Sequence, residues 1–167
     1  MFPVGSYEAL YAAIEAGCNS VYFGVEGLNM RSRSANNFTI DDLRKIASIA
    51  QQHNVRTYLT LNTVVYDSEM DYMKSILIAA KESGVTAVIA ADLSVIQYAN
   101  QIGLEVHLST QCNITNSEAV RFFSKFADVI VTARELSLQQ VKAITQWIEE
   151  NNIKGPSGRQ LEIECFV

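Results

Sequence analysis

The feature that most constrains this chain is an alternation. Short runs rich in β-branched and aromatic residues recur between longer stretches with apolar residues at helical spacing. The short runs are Val21 to Gly24, Thr57 to Asn62, Ala87 to Asp92, Val106 to Gln111, Val129 to Arg134 and Leu161 to Phe166. Between them, sets such as Leu43, Ile46, Ala47 and Ala50 mark one face of a helix. Gly17, Gly84 and Gly103 stand where a helix would end in a left-handed cap, and Ser6, Thr39, Asn116 and Ser137 stand where one would begin. A βαβα chain builds a parallel sheet with its helices outside, either open or closed into a barrel.

Spacing decides between these two. Val21 and Leu161 are 140 positions apart and span five β-to-β intervals, which gives 28 residues per unit. Eight such units would need roughly 220 residues, within the usual barrel range. With 167 residues, the chain is expected to be an α/β protein forming an incomplete (β/α)8 TIM-type barrel, with about six to seven parallel strands and outer helices. Met1 to Gly5 reads as the exit of a strand, and Val167 falls inside another. Residues 1–167 are therefore expected to be a single partial barrel domain truncated at both ends. Its open edges would be covered by a second copy, as in a homo-oligomer, by a swapped segment or by a rearrangement.

Composition narrows the function classes. The chain is 49% hydrophobic and 19% charged, with a net charge of −5, which supports one ordinary core and excludes a disordered or low-complexity segment. It has neither a secretory leader pattern nor an apolar run long enough to span a bilayer, so a cytoplasmic protein is expected. An acidic balance without basic clusters argues against a strong, sequence-independent grip on nucleic-acid phosphates. Cys18, Cys112 and Cys165 are too far apart to form a short-spaced ligand set, so no metal site is expected within the segment. Each is expected to be a reduced, small hydrophobe.

Strand parity then proposes a site. Tyr58, Thr60 and Asn62 share one face, as do His107, Ser109 and Gln111, and Glu162, Glu164 and Phe166. The same parity, counted back from Asp92 and Arg134, groups Val88 and Ala90 with Asp92, and Ile130 and Thr132 with Arg134. If the apolar face meets the helices, Asn62, Asp92, His107, Gln111, Arg134 and Glu164 converge on an interior near the carboxyl ends of the strands, where α/β proteins bind ligands. Such a lining suits a small polar or anionic substrate. The competing reading is a salt-bridged plug without a ligand, for example Arg134 paired with Asp92 or Glu164. His107 is the candidate general acid or base, with Glu164 the second candidate catalytic group. Arg134 is the best anion anchor. Arg31, in the polar and basic run after Val21 to Gly24, is a candidate lid contact. His53 reads as a helix cap. No serine elbow, HExxH, phosphate loop or dinucleotide glycine fingerprint is present.

The ordered runs Val21-Tyr22-Phe23-Gly24, Asn29-Met30-Arg31, Leu59-Thr60-Leu61-Asn62-Thr63, Ser109-Thr110-Gln111, Asn113-Ile114-Thr115-Asn116 and Ala133-Arg134-Glu135-Leu136-Ser137 resemble the amino-terminal part of the collagenase-like peptidase family of unclassified catalytic type. The resemblance covers almost the whole chain. It implies an eight-stranded barrel in the whole protein. It also implies relatives annotated for peptide hydrolysis, beside relatives that hydroxylate RNA bases or assist ubiquinone hydroxylation. In the hydroxylating members, clustered cysteines that follow the signature opening at Glu164-x-Phe166 bind an iron–sulfur cluster. Those positions lie beyond Val167, so the segment is expected to hold no cofactor and to lack a complete catalytic site. Peptide or a small anion, and RNA for the whole protein, are the implied partners. Three readings follow: a peptidase, an iron–sulfur hydroxylase acting on RNA or a small molecule, and a non-catalytic binding or assembly module with a structural interior.

Overall fold

The computed structural model describes residues 1–28 and 38–165. Among these residues seven strands, β1 (Phe2–Pro3), β2 (Ser20–Phe23), β3 (Arg56–Leu61), β4 (Ala87–Ala90), β5 (Glu105–Leu108), β6 (Val129–Val131) and β7 (Glu162–Glu164), form one sheet in chain order, and every neighbouring pair is parallel. Among the described residues six helices connect them: α1 (Tyr7–Glu15), α2 (Asp42–Gln52), α3 (Met70–Ser83), α4 (Leu93–Gln101), α5 (Ser117–Phe123) and α6 (Leu138–Glu150). This is the expected α/β half-barrel. Among the described residues no pairing joins β7 to β1, so the sheet is open.

Local chemistry explains most element boundaries. The side chains of Ser6, Asn116 and Ser137 each accept a hydrogen bond from a backbone N–H in the first turn of the helix that follows, and Ser137 forms a reciprocal capping box with Gln140. Thr39 behaves differently from the expectation. Asp41 occupies the cap position of α2, while the Thr39 N–H and hydroxyl both donate to Asp42 Oδ2 at 2.8 Å. Helix α3 ends at Gly84, whose φ of 80° is left-handed backbone that glycine adopts without a Cβ clash, and the next residue turns into β4.

The core lies between sheet and helices. Leu59, Leu61, Val88, Ala90, Val106, Leu108 and Ile130 are buried on the outer face of the sheet against Leu43, Ile46, Met73, Ile76, Leu77, Ile96 and Ile148 from the helices. Register shows why: Leu59 pairs with Val88, Val88 with Val106 and Leu108 with Ile130, and residues in register across parallel strands point to the same side. The parity expected for β4 and β6 is therefore corrected. Val88, Ala90 and Ile130 face the helices, and Ile89 and Val129 face inward. These strands read Ala-Val-Ile-Ala and Val-Ile-Val, with no polar alternation to fix a face. Asp92 and Arg134, from which the parity was counted, lie beyond the strand ends, where the chain has left the pleat. No helix among the described residues is long and apolar enough to cross a membrane.

Candidate functional site

The inner face of the sheet carries the polar groups. One row runs Tyr22, Tyr58, Ala87, Glu105, and the next runs Thr60, Ile89, His107, Val129, Glu162; Glu164 stands beside Val131 one step further on. Against this face lies a cavity of 290 Å³ whose lining includes Ser20, Arg56, Tyr58, Glu105, His107, Asp128, Arg159, Glu162 and Glu164. Ser20, Arg56, Glu105 and Glu162 are the first residues of their strands, so the cavity reaches the amino-terminal side of the sheet. His107 and Glu164 lie further along their strands.

A chain of hydrogen bonds fixes the histidine. His107 Nε2 is 3.1 Å from Glu105 Oε1, and Arg159 donates to Glu105 Oε2 at 2.6 Å. Arg159 Nε also donates to Ser157 Oγ, which in turn donates to Asp128 Oδ1. The hydrogen bond from His107, opposed by burial and aided by the positive charge of Arg159, holds the Glu105 carboxyl below the ordinary carboxylate range. A carboxylate at Oε1 makes Nε2 the protonated nitrogen of His107, which leaves Nδ1 as an acceptor when the ring is neutral. The residue is 4% exposed, and Nδ1 is buried with no hydrogen-bond partner among the described residues. The Tyr58 ring packs on the imidazole at 4.7 Å between centroids. Burial raises the Glu164 carboxyl above its ordinary value, and His107 and Arg56 oppose that rise only in part. The site thus holds a carboxyl biased toward keeping its proton near an imidazole with an open acceptor.

The structure distributes the expected residues over two regions. His107 and Glu164 share the cavity. Asn62, Asp92, Gln111 and Arg134 lie past the carboxyl ends of β3, β4, β5 and β6, outside the cavity lining. Asp92 is the N-cap of α4. It accepts from the Ser94 N–H at 2.8 Å, from the Ser94 hydroxyl and from the Val65 N–H at 3.2 Å. Burial alone would raise its carboxyl, but these donors hold it below the ordinary range. Gln111 is exposed and accepts from Ser109 Oγ at 2.9 Å; Arg134 is exposed and Asn62 half-buried. Near Asn62, the Thr63 hydroxyl is buried without a hydrogen-bond partner among the described residues. Arg31 lies outside the described residues. His53 is the C-cap residue of α2.

Sequence reasoning missed Arg56, Tyr58, Glu105, Asp128 and Arg159 as parts of the site. For two of them the signal was present. Glu105 is two positions from His107, and Tyr58 was placed on the polar face, so parity alone put both on the inner face. Arg159 reaches in from the connection between α6 and β7, which carries no periodicity to read.

Comparison with known proteins adds the lineage. Residues 5–167, nearly the whole chain, match the family model described as Peptidase family U32. The chain belongs to peptidase family U32. Among its U32 relatives, a protein named collagenase from Porphyromonas gingivalis is 57% identical over 167 residues, which is 100% of this chain and 40% of that one. A protein named for tRNA hydroxylation from Bacillus subtilis is 29% identical over 168 aligned positions, covering 99% of this chain and 37% of that one. The chain therefore spans about two-fifths of the length of the collagenase relative. A solved structure of a U32 peptidase superposes with a TM-score of 0.70 at 17% identity over 87% of this chain and 63% of that chain, a likeness of fold.

For the iron–sulfur cluster that the sequence resemblance implies, the described residues offer no fitting set. Cys18 is buried next to α1, Cys112 is partly buried with its thiol pushed up to about 11 by burial, and Cys165 is exposed after β7. Among the described residues, no group of three or more His, Cys, Asp or Glu side chains could hold a metal ion.

Proposed function

We propose that this chain forms the amino-terminal part of a catalytic barrel that hydrolyses peptide bonds, with Glu164 and His107 as its acid–base pair. The observation carrying this reading is the pairing itself: a carboxyl raised by burial lines the same cavity as an imidazole pinned by Glu105. A carboxyl raised by burial in the same cavity as an imidazole suits proton transfer. In this reading His107 is the base that takes a proton from the attacking water, and Glu164 is the acid that gives one to the departing nitrogen. Asn62, Asp92, Gln111 and Arg134 are proposed as substrate contacts at the carboxyl rim, with Arg134 holding a substrate carboxylate, and Arg31 is proposed as a further substrate contact. Asp92 contributes there by fixing the start of α4.

The test uses the complete protein and a fluorogenic collagen-like peptide. Glu164→Gln and His107→Gln are each expected to lower kcat/KM by about 100-fold, the usual scale for losing a general acid or base. Cleavage at the unsubstituted rate would overturn the reading.

A second reading is favoured by the tRNA hydroxylation relative, which aligns with 99% of this chain. In it, the whole cytoplasmic protein hydroxylates an RNA base, and an iron–sulfur cluster is held by residues outside this segment. Anaerobic purification with iron and sulfide analysis, followed by nucleoside mass spectrometry of RNA from a deletion strain, separates the two. Bound cluster and loss of a hydroxylated nucleoside support the second reading. Peptide cleavage without either supports the first.

A further inference from the structure

We propose that residues 154–160 form a gate at the amino-terminal mouth of the cavity, latched by Ser157 on Asp128 and by Arg159 on Glu105. The gate governs access to the site of the acid–base pair, but it stands whatever reaction the cavity serves.

The segment is a small hairpin in its own right. Lys154 pairs antiparallel with Gln160. The Gly155 N–H donates to the Arg159 carbonyl and the Gly158 N–H to the Gly155 carbonyl, each at 3.0 Å. Its flanks are fixed, because Leu161 belongs to the core and Ile153 packs against it. None of residues 154–160 joins that core, and residues 156–160 are exposed. An element with so few apolar contacts opens at less cost than the strands beside it.

Polar contacts hold the hairpin down. Asp128, 6% exposed, accepts at Oδ1 from the Ser157 N–H at 3.1 Å and from the Ser157 hydroxyl at 2.5 Å. Arg159 donates to Glu105 Oε2 at 2.6 Å. The Arg159 N–H and Nε also donate to Ser157 Oγ, at 3.3 and 3.0 Å, so the two holds are tied together and release as a unit. The Arg159 side chain is 55% exposed, where water competes for its pairing with Glu105. Gly155 sits against Asp128 with no room for a Cβ, which seats the base of the hairpin and leaves the tip to move. Position turns this into a gate. Arg159 and Gln160 line the cavity together with Glu105 and His107, so lifting the hairpin takes Arg159 off Glu105 and widens the way to the imidazole.

Acylation of histidine by diethyl pyrocarbonate, followed residue by residue by mass spectrometry on the full chain, tests the gate. His53, exposed at the end of α2, is the internal reference. Ser157→Ala removes the hydroxyl that ties Arg159 to Asp128, and Arg159→Gln removes the hold on Glu105. Each is expected to raise the His107 rate about tenfold relative to His53, as a more populated open state would. Hydrogen exchange in the same variants should quicken about tenfold over residues 154–160 and stay unchanged in β6. An unchanged His107 rate in both folded variants, or equal quickening in β6, overturns the proposal. Should neither variant fold, the unsubstituted chain decides. Hairpin amides exchanging about tenfold faster than those of β6 support the gate, and equal protection overturns it. A faster His107 rate beside unimpaired peptide cleavage by Glu164→Gln would remove the hydrolytic reading and leave the gate. Lost cleavage in Glu164→Gln beside an unchanged His107 rate in the hairpin variants would do the reverse.

Discussion

Two carboxylates set the residue scale, because opposite surroundings act on them. Glu105 is held below its ordinary value of 4.5 by the His107 hydrogen bond and by Arg159, so the stability it contributes is present above about 4.5 and is lost as pH falls through its lowered value. Glu164 is raised above 4.5 by burial, so the stability it contributes is present below about 4.5 and is lost as pH rises through its raised value. Glu164→Gln is therefore expected to remove a loss of stability on the neutral side. Its Tm should fall less than that of the unsubstituted chain as pH rises above about 4.5, and thermal melts across that rise check it. Asp92 makes a plainer case. It caps α4 through the Ser94 N–H and also anchors the Val65 N–H, so Asp92→Ala is expected to destabilise the fold by about 1–2 kcal/mol in urea unfolding. His107 and Glu164 were legible as a pair from alternation in β5 and β7. Asp92 was legible as polar, but its sequence position could not separate a helix cap from a ligand contact.

Among the elements, strands whose polar residues alternate announced their faces, and strands without them did not. In β3 and β5, Thr60 and His107 alternate with Leu59, Leu61, Val106 and Leu108, and the inner face followed directly. β4 and β6 are apolar throughout, so their faces emerge only from register with neighbours. The connection between α6 and β7 shows a different constraint. A Cβ on Gly155 would stand 2.7 Å from the Asp128 Cα and 2.8 Å from the Ala127 carbonyl oxygen, closer than Cβ atoms approach backbone. Gly155→Ala is expected to push this connection away from Asp128 at a cost of about 1–3 kcal/mol. It should also loosen the Ser157 and Arg159 contacts that brace Glu105, and a shift in the His107 imidazole nuclear magnetic resonance signals would report that.

For the whole molecule, the half-barrel places its helices on one side of the sheet and the ionisable groups of the cavity on the other. Leu59, fully buried between β3 and the helices, belongs to the supporting side. Leu59→Ala is expected to cost about 2–5 kcal/mol, and urea unfolding checks it. The number of residues per βα unit makes this architecture readable in the sequence. The cavity was not readable in the same way, because it depends on Arg159 arriving from a loop and on Tyr58, Glu105 and His107 stacking across strands far apart in sequence.

The most direct test is the pH dependence of kcat/KM for peptide cleavage by the complete protein, compared with its Glu164→Gln form. A carboxyl that must carry its proton predicts an alkaline limb in the unsubstituted enzyme, which the substitution abolishes together with most of the rate. An unchanged profile and rate in Glu164→Gln would contradict the account.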